Sequence, residues 1–149
     1  MDKERVGAIL QRCVTSVVNG WLERAKQSSE LNHLPLSDDE RTGHLPRLVE
    51  DLALRLSKSS ATAKDSDAIP SAAAVAHGTL RYYQGYTPAM LVHESRILQV
   101  TIFGTLQSNL NHLDFSLLLP DVMTIADEVD SQLTQSMESY MKVMMRSAA

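Results

Sequence analysis

Five segments of the chain repeat their apolar residues at the three- and four-residue spacing that lays a single stripe along a helix. Val6, Leu10, Cys13, Val14, Val17 and Trp21 do so first, and they predict one amphipathic helix over about residues 2–28, with Cys13 a small buried hydrophobe and Trp21 the largest core anchor. The polar run at 27–32 ends it. Ser37 followed three residues on by Glu40 has the form of a capping box, and Asp38 and Asp39 suit the positive end of a helix dipole. Leu45, Leu48, Val49, Leu52, Ala53 and Leu56 then carry a second stripe, but Pro46 inside it predicts a kink or break near Gly43 and His44.

The small, polar segment 58–67 reads as a loop within the domain, and Pro70 stands where a first helical turn tolerates it. Ala72, Ala73, Ala76, Leu80 and Tyr83 predict the stripe of a third helix, which turns at Gly85, Tyr86, Thr87 and Pro88 into a fourth. That fourth helix carries Met90, Leu91, Ile97, Leu98, Thr101, Ile102 and Thr105 on its inner side. Residues 107–114 read as a helix end and turn, with His112 exposed and Asp114 free to cap the next helix. Leu118, Val122, Ile125, Ala126, Val129, Leu133, Met137, Tyr140, Val143 and Met144 hold one face almost to the C-terminus. Thirty residues of helix span about 45 Å, so the distal part, 132–149, is expected to project or to pair with a second copy through Leu133, Met137, Tyr140 and Met144.

One residue breaks the apolar logic. Glu94 falls near the centre of the fourth stripe, and a buried unpaired carboxylate costs several kcal/mol. It therefore needs partners. His77 and Arg81, at i and i+4 on the flank of the third stripe, point the same way and are the nearest candidates. A polar cluster of His77, Arg81 and Glu94 joining the two helices is the expectation. Gly78, beside the histidine, would let a neighbouring backbone approach closely.

Composition narrows the picture to a globular all-α domain. The chain has 149 residues, 44% hydrophobic, 21% charged and only 5% aromatic, which suits a single-domain bundle of about five helices spanning 1–149. A formal net charge of −4, with Lys and Arg scattered, argues against nucleic acid as a partner. Cys13 is the sole cysteine, so no internal disulfide or cysteine-based zinc site can form, and a reducing, cytoplasmic setting is expected. No apolar run reaches the length of a membrane span. His33 and His44 read as loop and helix-end residues without carboxylates at metal-ligand spacing. There is no Gly-rich phosphate loop, nucleophile elbow or metal-ligand repeat, so neither an enzyme using Glu94 and His77 as acid and base nor a resident cofactor is expected.

Trp21, the segment 36–56 and the segment 76–98 together resemble the RsbRD N-terminal domain family, helical modules that precede bacterial sensor histidine kinases and occur in RsbR-type stress-signalling proteins. The series His77, Gly78, Arg81, Gly85 and Tyr86, followed by Glu94, carries most of that resemblance. Gln99 stands after Leu98 where the family tends to have Arg. The resemblance implies a fold related to cofactor-free globin-like domains, adds Tyr86 to the polar cluster, and implies a cytoplasmic sensory module. Such a module would work as a homodimer whose last helix leads to a downstream kinase, another output domain or a partner signalling protein. Whether the cluster senses protons through His77 or binds a small anion at Arg81 is left open by the pattern. The alternative is a small-ligand or haem carrier with a globin-like pocket, in which His77 or His93 would be the axial ligand.

Overall fold

The computed structural model describes residues 2–58 and 70–148. Apart from Lys58, the loop expected over 58–67 lies outside them, as does Ile69. Among the described residues the chain is an all-helical single domain: α1 (Val6–Arg12), α2 (Val14–Gln27), α3 (Ser29–Asn32), α4 (Asp38–Thr42), α5 (Leu45–Lys58), α6 (Ala72–Tyr83), α7 (Pro88–Gln107) and α8 (Leu118–Ala148). Two 3₁₀ turns, Leu110–His112 and Phe115–Leu117, lead into α8.

All five expected helical patterns are present, but two are broken in the middle. The first breaks at Cys13, whose φ of −111° and ψ of 14° leave the helical region. The reason is tertiary. α1 lies along α5 and α2 lies along α7, so one straight rod could not serve both partners. α1 comes so near α5 that a Cβ on Gly7 would sit 2.8 Å from Ser57 Oγ and 3.0 Å from its amide nitrogen. Cys13 is half-buried at the joint, not sunk in the core as its stripe position suggests.

The second break falls where Pro46 predicts it. Ser37 Oγ accepts from the Glu40 amide while the Glu40 carboxylate accepts from the Ser37 amide, so the capping box forms and starts α4. Gly43, at φ +53°, ends it; left-handed backbone there costs glycine nothing. Pro46 then occupies the first turn of α5, where its missing N–H does no harm.

The core runs through the middle of the bundle. Ile9, Leu10, Trp21, Leu31, Leu52, Leu56, Leu91, Ile102 and Leu113 are all essentially inaccessible. A short parallel bridge ties the N-terminus to the turn before α8: the Glu4 amide donates to His112 O at 2.6 Å, and the Asp114 amide donates to Glu4 O at 2.8 Å. His112 is thereby half-buried, against the expectation of exposure. Asp114 caps the second 3₁₀ turn through the Ser116 amide.

α8 departs most from its pattern. Its buried face is Asp121, Ile125, Glu128, Val129, Gln132, Ser136, Ser139, Tyr140 and Val143, one position round from the expected stripe. Residues 132–143 do not project. They pack along α6, the most extensive pairing among the described helices, and Leu133, Met137 and Met144 lie partly buried against the chain's own core.

Candidate functional site

The site is assembled by the corner between α6 and α7. Ser71 caps α6 by accepting from the Ala74 amide at 3.1 Å and anchors to Asp51 Oδ2 at 2.8 Å. At the other end, the Tyr86 amide donates to Arg81 O and the Gly85 amide to Tyr82 O, with Gly85 at φ +92°. This is a Schellman ending. It folds Tyr86 back over Arg81, whose guanidinium carbon lies 4.3 Å from the ring centre. Thr87 then caps α7 through the Met90 amide, with Pro88 in the first turn. Two turns later Glu94 faces inward.

His77, Arg81 and Glu94 meet as the spacing predicts. His77 Nε2 lies 2.6 Å from Glu94 Oε1. Arg81 Nε and Nη2 approach Glu94 Oε2 at 3.1 and 3.0 Å. All three side chains are buried. Trp21, fully buried, donates its indole N–H to the Glu94 backbone carbonyl at 3.1 Å, which makes it a core aromatic that also pins α7 to α2.

Arg81 has no donor to spare. Beyond its two contacts with Glu94, Nη1 donates to Glu40 O at 3.2 Å and to Gln84 Oε1 at 2.6 Å, and Nη2 donates to Arg41 O. Four N–H groups thus donate hydrogen bonds, the remaining Nη2 hydrogen lies beside the Glu94 carboxylate as an ion pair, and two of the acceptors are carbonyls at the end of α4. Arg41 is buried in turn and sends its own fork to Leu31 O and Leu34 O at 2.8 and 3.1 Å. The guanidinium of Arg81 therefore fastens α4 to α6 and α7 at once.

Burial would raise the Glu94 carboxyl, but the charges of His77 and Arg81 and their hydrogen bonds outweigh it and hold the group below the usual carboxylate range. Burial, then the Glu94 charge, pushes the Tyr86 hydroxyl well above the ordinary tyrosine value. That hydroxyl is buried without a well-aligned hydrogen bond. The backbone carbonyl of Tyr86 accepts from Tyr140 Oη at 2.5 Å, which links the corner to α8.

Gly78 makes the close approach its position suggests. A Cβ there would lie 1.9 Å from Ser136 O and 2.2 Å from Ser139 Oγ, so α6 and α8 touch backbone to backbone. Ser136 Oγ donates to Ala74 O and Ser139 Oγ to Val75 O, each at 2.7 Å.

Several functional side chains escape a reading by stripes. On α6 the buried set is Ala73, Ala74, His77, Gly78 and Arg81, while Ala72, Ala76 and Tyr83 face solvent; the inner face is the polar one. His44, expected at a helix end, stands there but meets His77 edge-on, with ring centres 6.1 Å apart. Arg41 and Gln84 stand among other polar residues, and only Gly43 with Pro46 three residues on marks that corner as special. Asp121 with Arg5 at 2.9 Å and Glu128 with Arg55 at 3.2 Å add two further buried carboxylates paired with arginines.

A cavity of about 30 Å³ borders the cluster, walled by Leu48, Leu91 and Leu98 and floored by His77, Glu94 and Gln132. Pockets for drug-sized ligands run to about 300–1,000 Å³, so this cavity is too small for a haem. His77 Nε2 is taken by Glu94, and His93 Nε2 lies 3.0 Å from Ser28 Oγ on another side of α7. Among the described residues no group of three or more His, Cys, Asp or Glu side chains is placed to hold a metal ion. No helix among them is long and apolar enough to cross a membrane.

Fold and site together define a class: an all-helical single domain organised around a buried, hydrogen-bonded ion pair. No protein-family model matches the chain, and neither a curated protein nor a solved structure is significantly similar to it.

Proposed function

We propose that the chain is a sensory or regulatory module in which the cluster of His77, Arg81, Glu94 and Tyr86 holds the bundle in one of two packing states, and α8 passes the difference on. The observation that carries this reading is the buried carboxylate of Glu94, gripped by Arg81 and His77 with 5% or less of each side chain exposed. A plain core would be cheaper to build from apolar side chains. A buried polar network is costly wherever it is only partly satisfied, and a two-state element is what a signal needs to bias.

The cluster touches every part that would have to move. Arg81 reaches the carbonyls ending α4, Glu94 belongs to α7, and Tyr86 O receives Tyr140 from α8. The residues through which the chain resembles the RsbRD N-terminal domain family are the ones gathered here, which supports a module of that type acting in the cytoplasm. Its output would be a histidine kinase or other domain following α8, or a partner signalling protein.

Such a module would work as a homodimer. Because the inner face of α8 is spent on α6, pairing would use its outer side, where Leu119, Met123 and Met145 are exposed. Solution mass measured over a wide concentration range tests the reading: a dimer is expected, with its dissociation midpoint displaced in Glu94→Gln. A monomer at every concentration, identical in wild type and variant, overturns it.

A further inference from the structure

Of the two ways the cluster could take a signal, anion capture at Arg81 finds the guanidinium already occupied, since four of its N–H groups donate to Glu94, Glu40 O, Gln84 and Arg41 O and its Nη2 is also ion-paired with the Glu94 carboxylate. The histidine end is different. His77 turns Nε2 to Glu94 and leaves Nδ1 buried without a partner, and His44 Nδ1 is likewise buried and unpartnered. The two rings stand perpendicular, 86° apart in plane. Gly43, the residue that ends α4 ahead of α5, lies against both groups of α6: a Cβ there would be 3.5 Å from His77 Nδ1 and 3.6 Å from Arg81 Nη1.

We propose that His44 is a proton-responsive latch on this site: neutral, it packs edge-on against His77 and keeps the α4–α5 corner closed on α6; protonated, it is repelled and the corner opens at Gly43. The inference rests on the sensory reading of the cluster and deepens it by naming the proton as the stimulus and His44 as the receiving group.

The charges around His44 decide the sign. From α5 it faces Arg47, and from α6 His77 and Arg81. The carboxylates of the surrounding helices are turned elsewhere, Glu94 of α7 to His77 and Arg81, Glu40 of α4 to the Ser37 amide; Arg41 of α4 adds a further buried positive charge. Among the described residues, a cation formed at His44 therefore meets cations and no available anion. Burial, followed by the charges of His77, Arg47 and Arg81, lowers its proton affinity below that of an ordinary histidine. The lost contact would loosen the carbonyls of Glu40 and Arg41 from Arg81, and with them the grip on Glu94.

Trp21 is the only tryptophan, and its indole is bonded to the Glu94 carbonyl, so the full chain carries its own reporter. Titration from about pH 8 to about pH 5 spans the histidine range while Glu94 keeps its charge. Followed by Trp21 emission and by NMR of the five histidine rings, it should show His44 titrating below about 6.5. The emission change and the amide shifts of residues 38–48 should track that midpoint. In His44→Gln the emission change should vanish, and in His33→Gln it should stay as in wild type.

An emission change that persists at the same midpoint in His44→Gln overturns the latch. So does a wild-type His44 that titrates at the ordinary value with residues 38–48 unmoved, a result that needs no variant to fold. If the titration is flat while Glu94→Gln still displaces the monomer–dimer midpoint, the latch fails and the sensory reading stands. An intact titration in a chain that is monomeric throughout overturns the sensory reading and leaves the latch.

Discussion

Glu94 spends its charge entirely on two neighbours, and that fixes what its removal must do. Taking one partner from a buried, hydrogen-bonded pair leaves an uncompensated charge and costs about 3–5 kcal/mol. Glu94→Ala should lose that much in urea denaturation, because Arg81, fully buried, would be stranded; Glu94→Gln keeps an acceptor and should lose less. Equal small losses for the two would mean that the side chain is solvated. The pH dependence of stability follows from the same residues. His44 and Glu94 are both held below their ordinary proton affinities in the folded chain, so the unfolded chain binds more protons as pH falls. Their stabilisation is present at neutral pH and is lost on acidification, for His44 below about 6.5 and for Glu94 below about 4.3. Tyr86 is raised and acts oppositely: its share is present at neutral pH and is lost as pH rises above about 10. Urea midpoints measured across pH should fall on both sides of a neutral plateau.

At the scale of helices, contact distance decides more than propensity. Two of the glycines inside helices meet their neighbours at very different approaches. A Cβ on Gly78 of α6 would overlap Ser136 O of α8, whereas one on Gly104 of α7 would meet only Arg24 Nη2, at an ordinary 3.6 Å. Gly78→Ala should therefore cost about 3 kcal/mol, the upper end for overpacking, since backbone and not a flexible side chain stands in the way. Gly104→Ala should instead gain about 0.5–1 kcal/mol from helix propensity. Thermal melts of the two variants check the contrast. The same approach of α6 to α8 explains why serines fill the seam: Ser136 and Ser139 bond to the carbonyls of Ala74 and Val75, where larger side chains would hold the helices apart. Stripe-reading found the helices themselves because their spacing is local. It missed the hydrophobic-to-polar inversion of α6 and α8, because a polar face can be buried only if another element satisfies it, and no window along one helix contains that partner.

Over the whole molecule, the far half of α8 belongs to the domain. Gln132 bonds to Leu48 O, Tyr140 to Tyr86 O, and Val143 is buried, so a chain ending at Ser131 would uncover α6 and should lose cooperative folding by circular dichroism. A chain ending at Met144 keeps all three contacts and should melt close to wild type. Were residues 132–149 a projecting arm, both truncations would melt alike.

Apolar spacing, the Ser37–Glu40 cap, the Gly43–Pro46 break and the Gly85–Pro88 turn determined an all-helical chain and where most of its elements start and stop, since each is settled within a few residues. The oddity of Glu94 in an apolar stripe was enough to name His77 and Arg81, because burying a charge demands an answer and only they were near. What tertiary packing alone decided is which faces turned inward. It bent the first helix at Cys13 to serve two partners, rotated α8 by one position onto α6, and brought His44 and the carbonyls of α4 from some forty residues away in the chain to complete a site whose energetics depend on groups no local pattern could connect.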